Sequence, residues 1–310
     1  MSEETAKLRA KRSGRLVDIL LILMMVLPLV AAMALKILYT PDEGPGVHIH
    51  GAMVYYAPEG TDISQVITGA FVITEAQINT WLVMISIAGL CLFLTHGMQE
   101  RCTTVRQHLA EWLVEKAEGL IRSNMGDFHL YFTPFIMAMM GLSLFSSLMS
   151  LLGLFAPTGD LSVVFGWAIL VFFMILAAKA CCGPRVFIRD MTADGPVVTA
   201  LNVIGDLATP VSMAFRHYGN VMSGAVISVL VASALQAVSA AVFGALGEVF
   251  PVLQIGIPGV LSIYFDVFSG GLQAFIFAML TMLYVGGGFP LEDWLKRHPK
   301  RQGKRAEKAV

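Results

Sequence analysis

The sequence predicts an all-α polytopic membrane protein with about six membrane helices, among them a long, strongly tilted C-terminal hairpin, and one amphipathic surface helix. The first observation is composition: 14% of the residues are charged and the mean hydropathy is +0.72, whereas a soluble domain carries about 25% charged residues. The second is a set of six apolar stretches near the roughly 20 residues that a membrane span needs. The third is the uneven distribution of basic residues between those stretches.

The apolar stretches follow one another at residues 16–38, 80–94, 130–155, 161–178, 211–250 and 258–285. The first follows five basic residues, as the core of a secretory signal would. Its apolar run is long and no clear small-residue cleavage site follows it, so we expect a retained span. The second reaches spanning length when residues 73–79 are included.

Basic residues set the predicted orientation by the positive-inside rule. With both termini in the cytoplasm, only Lys36 and Arg216 of the 21 Lys and Arg residues fall outside the cytoplasmic segments. Lys36 lies at the outer end of the first span, where its side chain can reach the interface. The predicted segments are a basic cytoplasmic N-terminus with an extra first span (1–39), an external loop (40–72), a core (73–290) and a basic cytoplasmic tail (291–310) that is disordered beyond its start.

Between the second and third spans, apolar residues recur at helical spacing. They are Val105, Leu109, Trp112, Leu113, Leu120 and Ile121. Charged residues occupy the other faces, which predicts an amphipathic helix on the cytoplasmic membrane surface. A cytoplasmic helix packed on a partner protein is an alternative that the same pattern allows.

The fifth stretch, residues 211–250, is too long for a simple crossing. Its forty residues make a helix of about 60 Å, whereas the hydrocarbon core is about 30 Å thick. Such a helix must tilt steeply or break. We therefore expect the last two stretches to form a long, tilted hairpin.

Arg216 lies far from either end of this fifth stretch. A guanidinium stays protonated in proteins, and burying one at the middle of a bilayer costs somewhere between about 3 and 17 kcal/mol. The cost predicts a polar cavity or a partner carboxylate, and such residues usually mark function. The alternative is a structural arginine that pairs within the bundle.

Polar residues share helix faces in the last two stretches. Ser212 and Asn220 lie one turn before and one turn after Arg216. In the last stretch, four side chains fall within about 40° of one line at 100° per residue: Asp266, Gln273, Phe277 and Tyr284. A lone glutamine in a span can serve helix–helix packing, but an acid two turns away favours a functional face.

These residues carry a resemblance to a known family. The strings PVSMAFRHYGN and GGLQAFIFAMLTMLYV resemble the two signature helices of subunit a of F-type ATP synthases, and upstream segments follow the family order. The resemblance covers about residues 73–285. The first span goes beyond the five helices that are usual in the family.

The resemblance implies a non-catalytic ion-channel stator beside a rotating ring of c subunits, each with a mid-membrane carboxylate. Arg216 would separate two aqueous half-channels, attract the ionised rotor carboxylate and prevent a direct leak. Gln273 would be its polar neighbour across the hairpin. Further implied partners are the b-subunit peripheral stalk, other ATP synthase subunits and the lipid bilayer of a bacterial cell membrane.

The resemblance also assigns the remaining ion-pathway residues. Asp266 and Asn220 would line the external half-channel, and Ser212 would belong to the same pathway. Asp160 would lie at the external mouth, although it is equally well placed to cap the helix that begins at Leu161.

Two departures from the family pattern stand out. Members often carry a carboxylate or histidine nine residues after the arginine, where this chain has Ala225. We infer that Asp266 alone supplies the external relay group. The third span also lacks the asparagine that the family usually places near its end.

Other polar residues leave their roles open. His217 either faces a cytoplasmic channel or packs in the core, and Asp206 either lines the cytoplasmic mouth or caps a helix start. His48 and His50 are too few for a metal site. We expect no metal and no cofactor, and no partner nucleic acid or nucleotide, since no phosphate-binding glycine motif is present.

Three functions from different classes remain. The first is the proton-driven stator, with a sodium-translocating version as its variant. The second is a secondary transporter that binds an anion at Arg216, although the internal repeats typical of such proteins are not visible. The third is a structural membrane subunit without an ion path.

Overall fold

The computed structural model describes residues 3–39, 52–56, 72–98, 104–183, 187–189, 192, 195–244 and 256–297. Its helices are α1 (Glu3–Tyr39), α2 (Glu75–Thr95), α3 (Val105–Met125), α4 (Thr133–Leu148), α5 (Leu161–Ala180), α6 (Pro196–Phe243), α7 (Ile257–Ser262), α8 (Gly270–Gly288) and α9 (Leu291–Arg297). A π-helix, Ile263–Ser269, joins α7 to α8. Short 3-10 helices cover Asp127–Phe132, Met149–Leu152 and Pro157–Gly159.

Within the described residues, six helices are long and apolar enough to cross a membrane. They are Leu16–Tyr39, Glu75–Thr95, Asp127–Leu152, Leu161–Ala180, Pro196–Val242 and Ile257–Gly288. This confirms the predicted all-α polytopic class. A two-stranded antiparallel sheet adds to it, since β1 (Val54–Tyr56) pairs with β2 (Ile73–Thr74).

Ion pairs mark one end of the bundle, which we call the basic end. There Lys179 of α5 pairs with Asp206 of α6, and Arg106 of α3 pairs with Asp18 of α1 at 2.8 Å. At the opposite end, called the far end, Glu75 accepts hydrogen bonds from backbone N–H groups. The six long helices of the described residues extend between these two ends.

The main core lies where α4, α5, α6 and α8 meet. It contains Met139, Val171, Ile175, Met213, Phe277 and Val285. The helices α4 and α8 approach very closely there, because a Cβ on Gly270 would lie 2.6 Å from the Cβ of Ser147. Glycine permits this crossing, as small residues commonly do between membrane helices.

Helix α1, the predicted extra span, packs along α2. A Cβ on Gly89 would lie 3.1 Å from the backbone nitrogen of Met25, so the two helices touch through their backbones. Lys36 donates a hydrogen bond to the carbonyl of Gly153 at the far end. Asp18 pairs with Arg106 at the basic end. These two attachments are about 27 Å apart along the helix, close to the thickness of a hydrocarbon core.

Helix α6 differs from the prediction at its start. It begins at Pro196 and continues through Pro210 for 48 residues, about 72 Å, whereas the predicted stretch began at residue 211. Asp206 is therefore inside the helix and does not cap its start. The prediction was wrong because Asp206 and Pro210 interrupt the apolar pattern, whereas in the structure the helix continues through both and Asp206 pairs with Lys179 of α5.

Two further predicted boundaries differ from the structure: the end of the fifth apolar stretch and the start of the C-terminal tail. Helix α6 ends at Phe243, where Gly244 has a φ of 58°, and residues 245–255 lie outside the described part. The first seven residues of the predicted tail form α9. Its Trp294 packs on Phe128, with ring centroids 4.8 Å apart. Most of the predicted external loop, with His48 and His50, also lies outside the described residues.

Helix α3 has the predicted amphipathic character. Val105 is 87% exposed, and Leu109 and Trp112 are about half exposed, whereas Ile121 is fully buried. Its second half therefore packs on the bundle, and its first half presents apolar side chains outward. Both predicted locations, on the membrane surface and on a partner protein, are compatible with this arrangement.

Candidate functional site

Arg216 lies on the outer surface of α6, between the groups that mark the two ends of the bundle. Its neighbour His217 faces Trp167 of α5, with ring centroids 6.1 Å apart. The basic-end ion pair at Asp206 is about 15 Å away along the helix. Toward the far end, a Cβ on Gly159 would lie 3.6 Å from Val221, only about 8 Å beyond Arg216.

The guanidinium of Arg216 has no ion pair or hydrogen bond within the described residues. The side chain is exposed, and so are Ser212 one turn before it and Phe215 beside it. Phe215 is 54% exposed, and Leu207 and Leu230 on the same helix are more than half exposed. A cation without a partner among the described residues thus lies in an apolar outer face of this chain.

The register of the α6–α8 hairpin follows from two contacts. Ser269 donates a hydrogen bond of 2.9 Å from Oγ to Oδ1 of Asn220, and a Cβ on Gly224 would lie 3.1 Å from Phe265. For antiparallel helices this register places Arg216 level with Gln273. Gln273 is only 6% exposed, so it belongs to the buried face of α8 while Arg216 points outward.

Asp266 lies in the π-helix and is half-buried, and its carboxylate has no hydrogen-bond partner among the described residues. The prediction placed it on one line with Gln273, Phe277 and Tyr284 by assuming 100° per residue throughout. A π-helix turns through less than that per residue. Asp266 is therefore rotated off the line, and Gln273 and Phe277 form a buried pair without it.

Asp160 is the N-cap of α5. Its Oδ1 accepts a hydrogen bond of 2.8 Å from the backbone N–H of Ser162. The capping alternative is thus what the structure contains. The carboxylate is still partly exposed at the far end, beside the 3-10 turn that contacts α6 near Val221.

His217 is completely buried where four helices meet. Its Nε2 lies 3.4 Å from the hydroxyl of Ser143 on α4, and its ring packs on Trp167 and Phe277. Its Nδ1 has no partner in the described part of the chain. The packing alternative is therefore the one that the structure supports.

Sequence reasoning missed a set of buried polar side chains that begins at the far end. They are Glu75, Asn79, Ser86, Ser143, Ser146, Ser147 and Thr158. Glu75 accepts hydrogen bonds of 3.4 Å from the N–H groups of Met53 and Phe155. Asn79 donates to the carbonyl of Phe155 at 2.9 Å. The available signal was their spacing of three and four residues on α2 and α4.

The basic end contains a cavity of about 510 Å³ between α5, α6 and α8. Its polar lining residues are Lys179, Asn202, Asp206, Thr209 and Tyr284. Tyr284 is 41% exposed. Asp206 therefore lines a cavity at the basic end, which was one of its two predicted roles.

Polar side chains thus lie toward both ends of an apolar bundle. Arg216, which has no partner among the described residues, lies between the two sets. No group of three or more metal-ligating side chains lies together in the described residues. The fold and the site together define a polytopic membrane protein with the features of an ion-translocating subunit.

Comparison with known proteins gives the family. The family described as ATP synthase A chain matches residues 77–286, which is more than half of the chain. ATP synthase subunit a of Desulforamulus reducens is 30% identical over 225 residues, covering 71% of this chain and 80% of that protein. Its counterpart in Listeria monocytogenes is 28% identical over 218 residues, covering 66% and 86%.

A relative named "ATP synthase subunit a, sodium ion specific", from Propionigenium modestum, is 33% identical over 141 residues, which cover 45% of this chain and 43% of that protein. The chain belongs to the subunit a family of F-type ATP synthases. The resemblance drawn from the sequence is thereby confirmed. As a member, it is a non-catalytic membrane-sector subunit with an ion-translocating stator role, which assembles with other ATP synthase subunits.

Proposed function

We propose that this chain provides two half-channels that pass protons to and from a rotating ring of c subunits, with Arg216 as the fixed charge that faces each rotor carboxylate. The observation that carries the proposal is the exposed guanidinium within the apolar part of the bundle, which has no partner among the described residues. A charge in that position costs between about 3 and 17 kcal/mol without a partner. Because the described part of the chain supplies no carboxylate to it, a neighbouring protein must.

The two half-channels follow from the polar groups at either end. On the far side of Arg216, Asn220 is hydrogen-bonded to Ser269 and Asp266 lies close by in the π-helix. On the other side, the cavity at the basic end reaches Thr209 of α6, about 11 Å from Arg216 along the helix. Arg216, with Gln273 level with it across the hairpin, separates the two.

The positive-inside rule supports the orientation that we propose. The basic end then faces the cytoplasm, both termini are cytoplasmic, and the far end with Glu75 and Asp160 faces outward. Within that orientation the cavity is the cytoplasmic half-channel. Asp160 borders the external mouth, where it also caps α5, and the membrane is that of a bacterial cell, where the b-subunit peripheral stalk is a further partner.

A sodium-translocating version is the second candidate, because the Propionigenium modestum relative is named sodium ion specific. The two are separated by ATP-driven transport in inverted vesicles. Acidification that is independent of sodium ions supports protons. Uptake of ²²Na⁺ that persists, or increases, when a protonophore is added supports sodium.

Arg216→Ala tests the proposal. ATP-driven pumping and ATP synthesis are expected to be lost, because no fixed charge remains to attract the rotor carboxylate or to block a leak. The complex should still assemble, since the guanidinium makes no contact within the described chain. Phe215→Ala, on the same exposed face, is the matched control and should keep pumping.

Retention of coupled pumping by Arg216→Ala, measured with a pH-sensitive dye in vesicles with normal amounts of the chain, would contradict the proposal. Uptake of a small anion by the isolated chain, lost in the same variant, would instead support a secondary transporter.

A further inference from the structure

Lys179 and Asp206 form a tight ion pair at the wall of the cavity. The ammonium donates to both carboxylate oxygens, at 2.6 Å to Oδ1 and 2.5 Å to Oδ2. The two side chains are only 29% and 20% exposed. The stem of Lys179 also passes over α8, where a Cβ on Gly288 would lie 3.2 Å from its Cγ. The pair therefore joins α5, α6 and α8 at this end.

These are also the two charged residues among the described residues that line the cavity. The other polar lining residues are Asn202, Thr209 and Tyr284, whose amide and hydroxyl groups donate and accept hydrogen bonds. The volume of about 510 Å³ is enough for several waters, each of which takes about 30 Å³ in the liquid. The cavity is thus large enough to hold water, and the two charges in its wall compensate each other.

We propose that the Lys179–Asp206 pair keeps the cytoplasmic half-channel electrostatically neutral, so that cations enter and leave it through water. Asp206 compensates the ammonium and does not itself carry protons, because both of its oxygens are engaged in charge-assisted hydrogen bonds. This inference rests on the proposed function. It distinguishes this half-channel from the external one, where Asp266 has no such partner among the described residues.

The test uses the sign of the charge that remains in the cavity wall when one partner of the pair is replaced. Asp206→Asn leaves an uncompensated ammonium that repels cations. Lys179→Gln leaves a carboxylate that attracts them. A pair with a merely structural role would be damaged in a similar way by both substitutions, because each breaks the same ion pair.

The experiment measures the initial rate of ATP-driven acidification in inverted vesicles that contain the complete complex. In these vesicles protons enter from the cytoplasmic side, and the amount of the chain is normalised by immunoblot. Asp206→Asn is expected to pump up to about tenfold more slowly at low salt, since a cleft whose charges have one sign changes local ion concentrations and entry rates by that order. The defect should shrink in high salt, which screens the ammonium.

The companion variants have distinct expected results. Lys179→Gln should pump several-fold faster than Asp206→Asn, and the double variant with both substitutions should recover most of the rate lost in Asp206→Asn, because no net charge remains. Equal losses in both single variants, or an unchanged rate in Asp206→Asn, would overturn the inference.

A second pair of variants leaves the ion pair intact, in case Asp206→Asn does not assemble. Thr209→Lys adds a positive charge to the same cavity and should pump several-fold more slowly than Thr209→Gln, which adds similar length without a charge. Equal rates in these two variants would also overturn the inference. Arg216→Ala, tested alongside, reports on the proposed function itself: if it abolishes pumping while every cavity variant behaves like the parent, only the neutrality inference fails.

Discussion

At the scale of single residues, Arg216 and His217 are adjacent in sequence but have opposite environments. Arg216 is exposed and unpaired within the described chain, while His217 is fully buried against Ser143, Trp167 and Phe277. Their side chains point about 100° apart on the helix. The core packing of one residue therefore fixes the direction in which the other presents its charge.

Replacing Asp266 tests the external relay. Asp266→Asn should lower both ATP synthesis and ATP-driven pumping by about a hundredfold, because an amide cannot take up and release the proton and a positioned acid–base group contributes roughly that factor or more. Asp266→Glu should keep most of the activity. The measurements are synthesis driven by an imposed proton gradient and dye quenching in vesicles.

Val267→Ala is the control for this substitution, since Val267 is 40% exposed in the same π-helix. Normal coupled rates in Asp266→Asn would show that the external path does not use this carboxylate.

The sequence predicts the importance of Arg216 but not its surroundings. A cation in a long apolar stretch is recognisable from hydropathy alone, and so is its position one turn from Asn220. That it has no partner in the described chain depends on which face of α6 packs on α5 and α8. The buried set around Glu75 and Ser146 was missed because single hydroxyls and one acid near a helix start have little effect on an apolar pattern.

At the scale of secondary-structure elements, the contacts between α4 and α8 are set by small residues. Gly270→Ala should destabilise the assembled protein by about 1–3 kcal/mol, the usual cost of overpacking, because its new Cβ would lie 2.6 Å from the Cβ of Ser147. Thermal unfolding of the purified complex in detergent measures the change.

Two further variants make the Gly270 comparison specific. Adding Ser147→Gly to Gly270→Ala should restore stability, since it removes both contacting atoms. Gly271→Ala should be nearly neutral, as its Cβ would meet only Leu144 at an ordinary 3.8 Å. If Gly270→Ala and Gly271→Ala unfold at the same temperature, the close crossing is not as described.

The number and approximate positions of the membrane helices were predictable from the sequence, but their exact ends and local geometry were not. All six spans appear where hydropathy places them. Two details depend on tertiary contacts: the start of α6 at Pro196, and the π-helix around Asp266. Pro210 is a strong local stop signal, yet packing on α5 carries the helix through it. No local pattern in residues 263–269 announces a π-helix.

At the scale of the whole molecule, α1 is attached to the family core along its length. Its contacts are the backbone approach at Gly89, the Asp18–Arg106 pair and the Lys36 hydrogen bond. The guanidinium of Arg106 also lies 4.9 Å from the ring centroid of Phe93. The Asp18–Arg106 pair is only partly buried, and ion pairs open to solvent contribute at most about 1 kcal/mol, so the close packing of α1 on α2 is the larger part of the attachment.

Gly89→Leu should therefore detach α1 from α2. A cysteine placed at Ala32, which is 2% exposed, should react slowly with a membrane-permeant maleimide in the parent chain and at least several-fold faster when Gly89 is leucine. Gly141→Leu is the matched control, because a Cβ there meets nothing within 4 Å. Equal labelling rates in the two variants would show that α1 does not depend on this contact.

The length of α6 has a geometric consequence. A straight rod of about 72 Å can remain inside a layer about 30 Å thick only by lying at roughly 25° or less to the plane of that layer. Successive turns of α6 are then displaced mainly parallel to the plane of the membrane. Thr209 and Asn220, on either side of Arg216, therefore lie at different positions in that plane. In the proposed function, an ion that enters beside one of them and leaves beside the other must therefore move laterally, and a rotating ring of carboxylates would carry it.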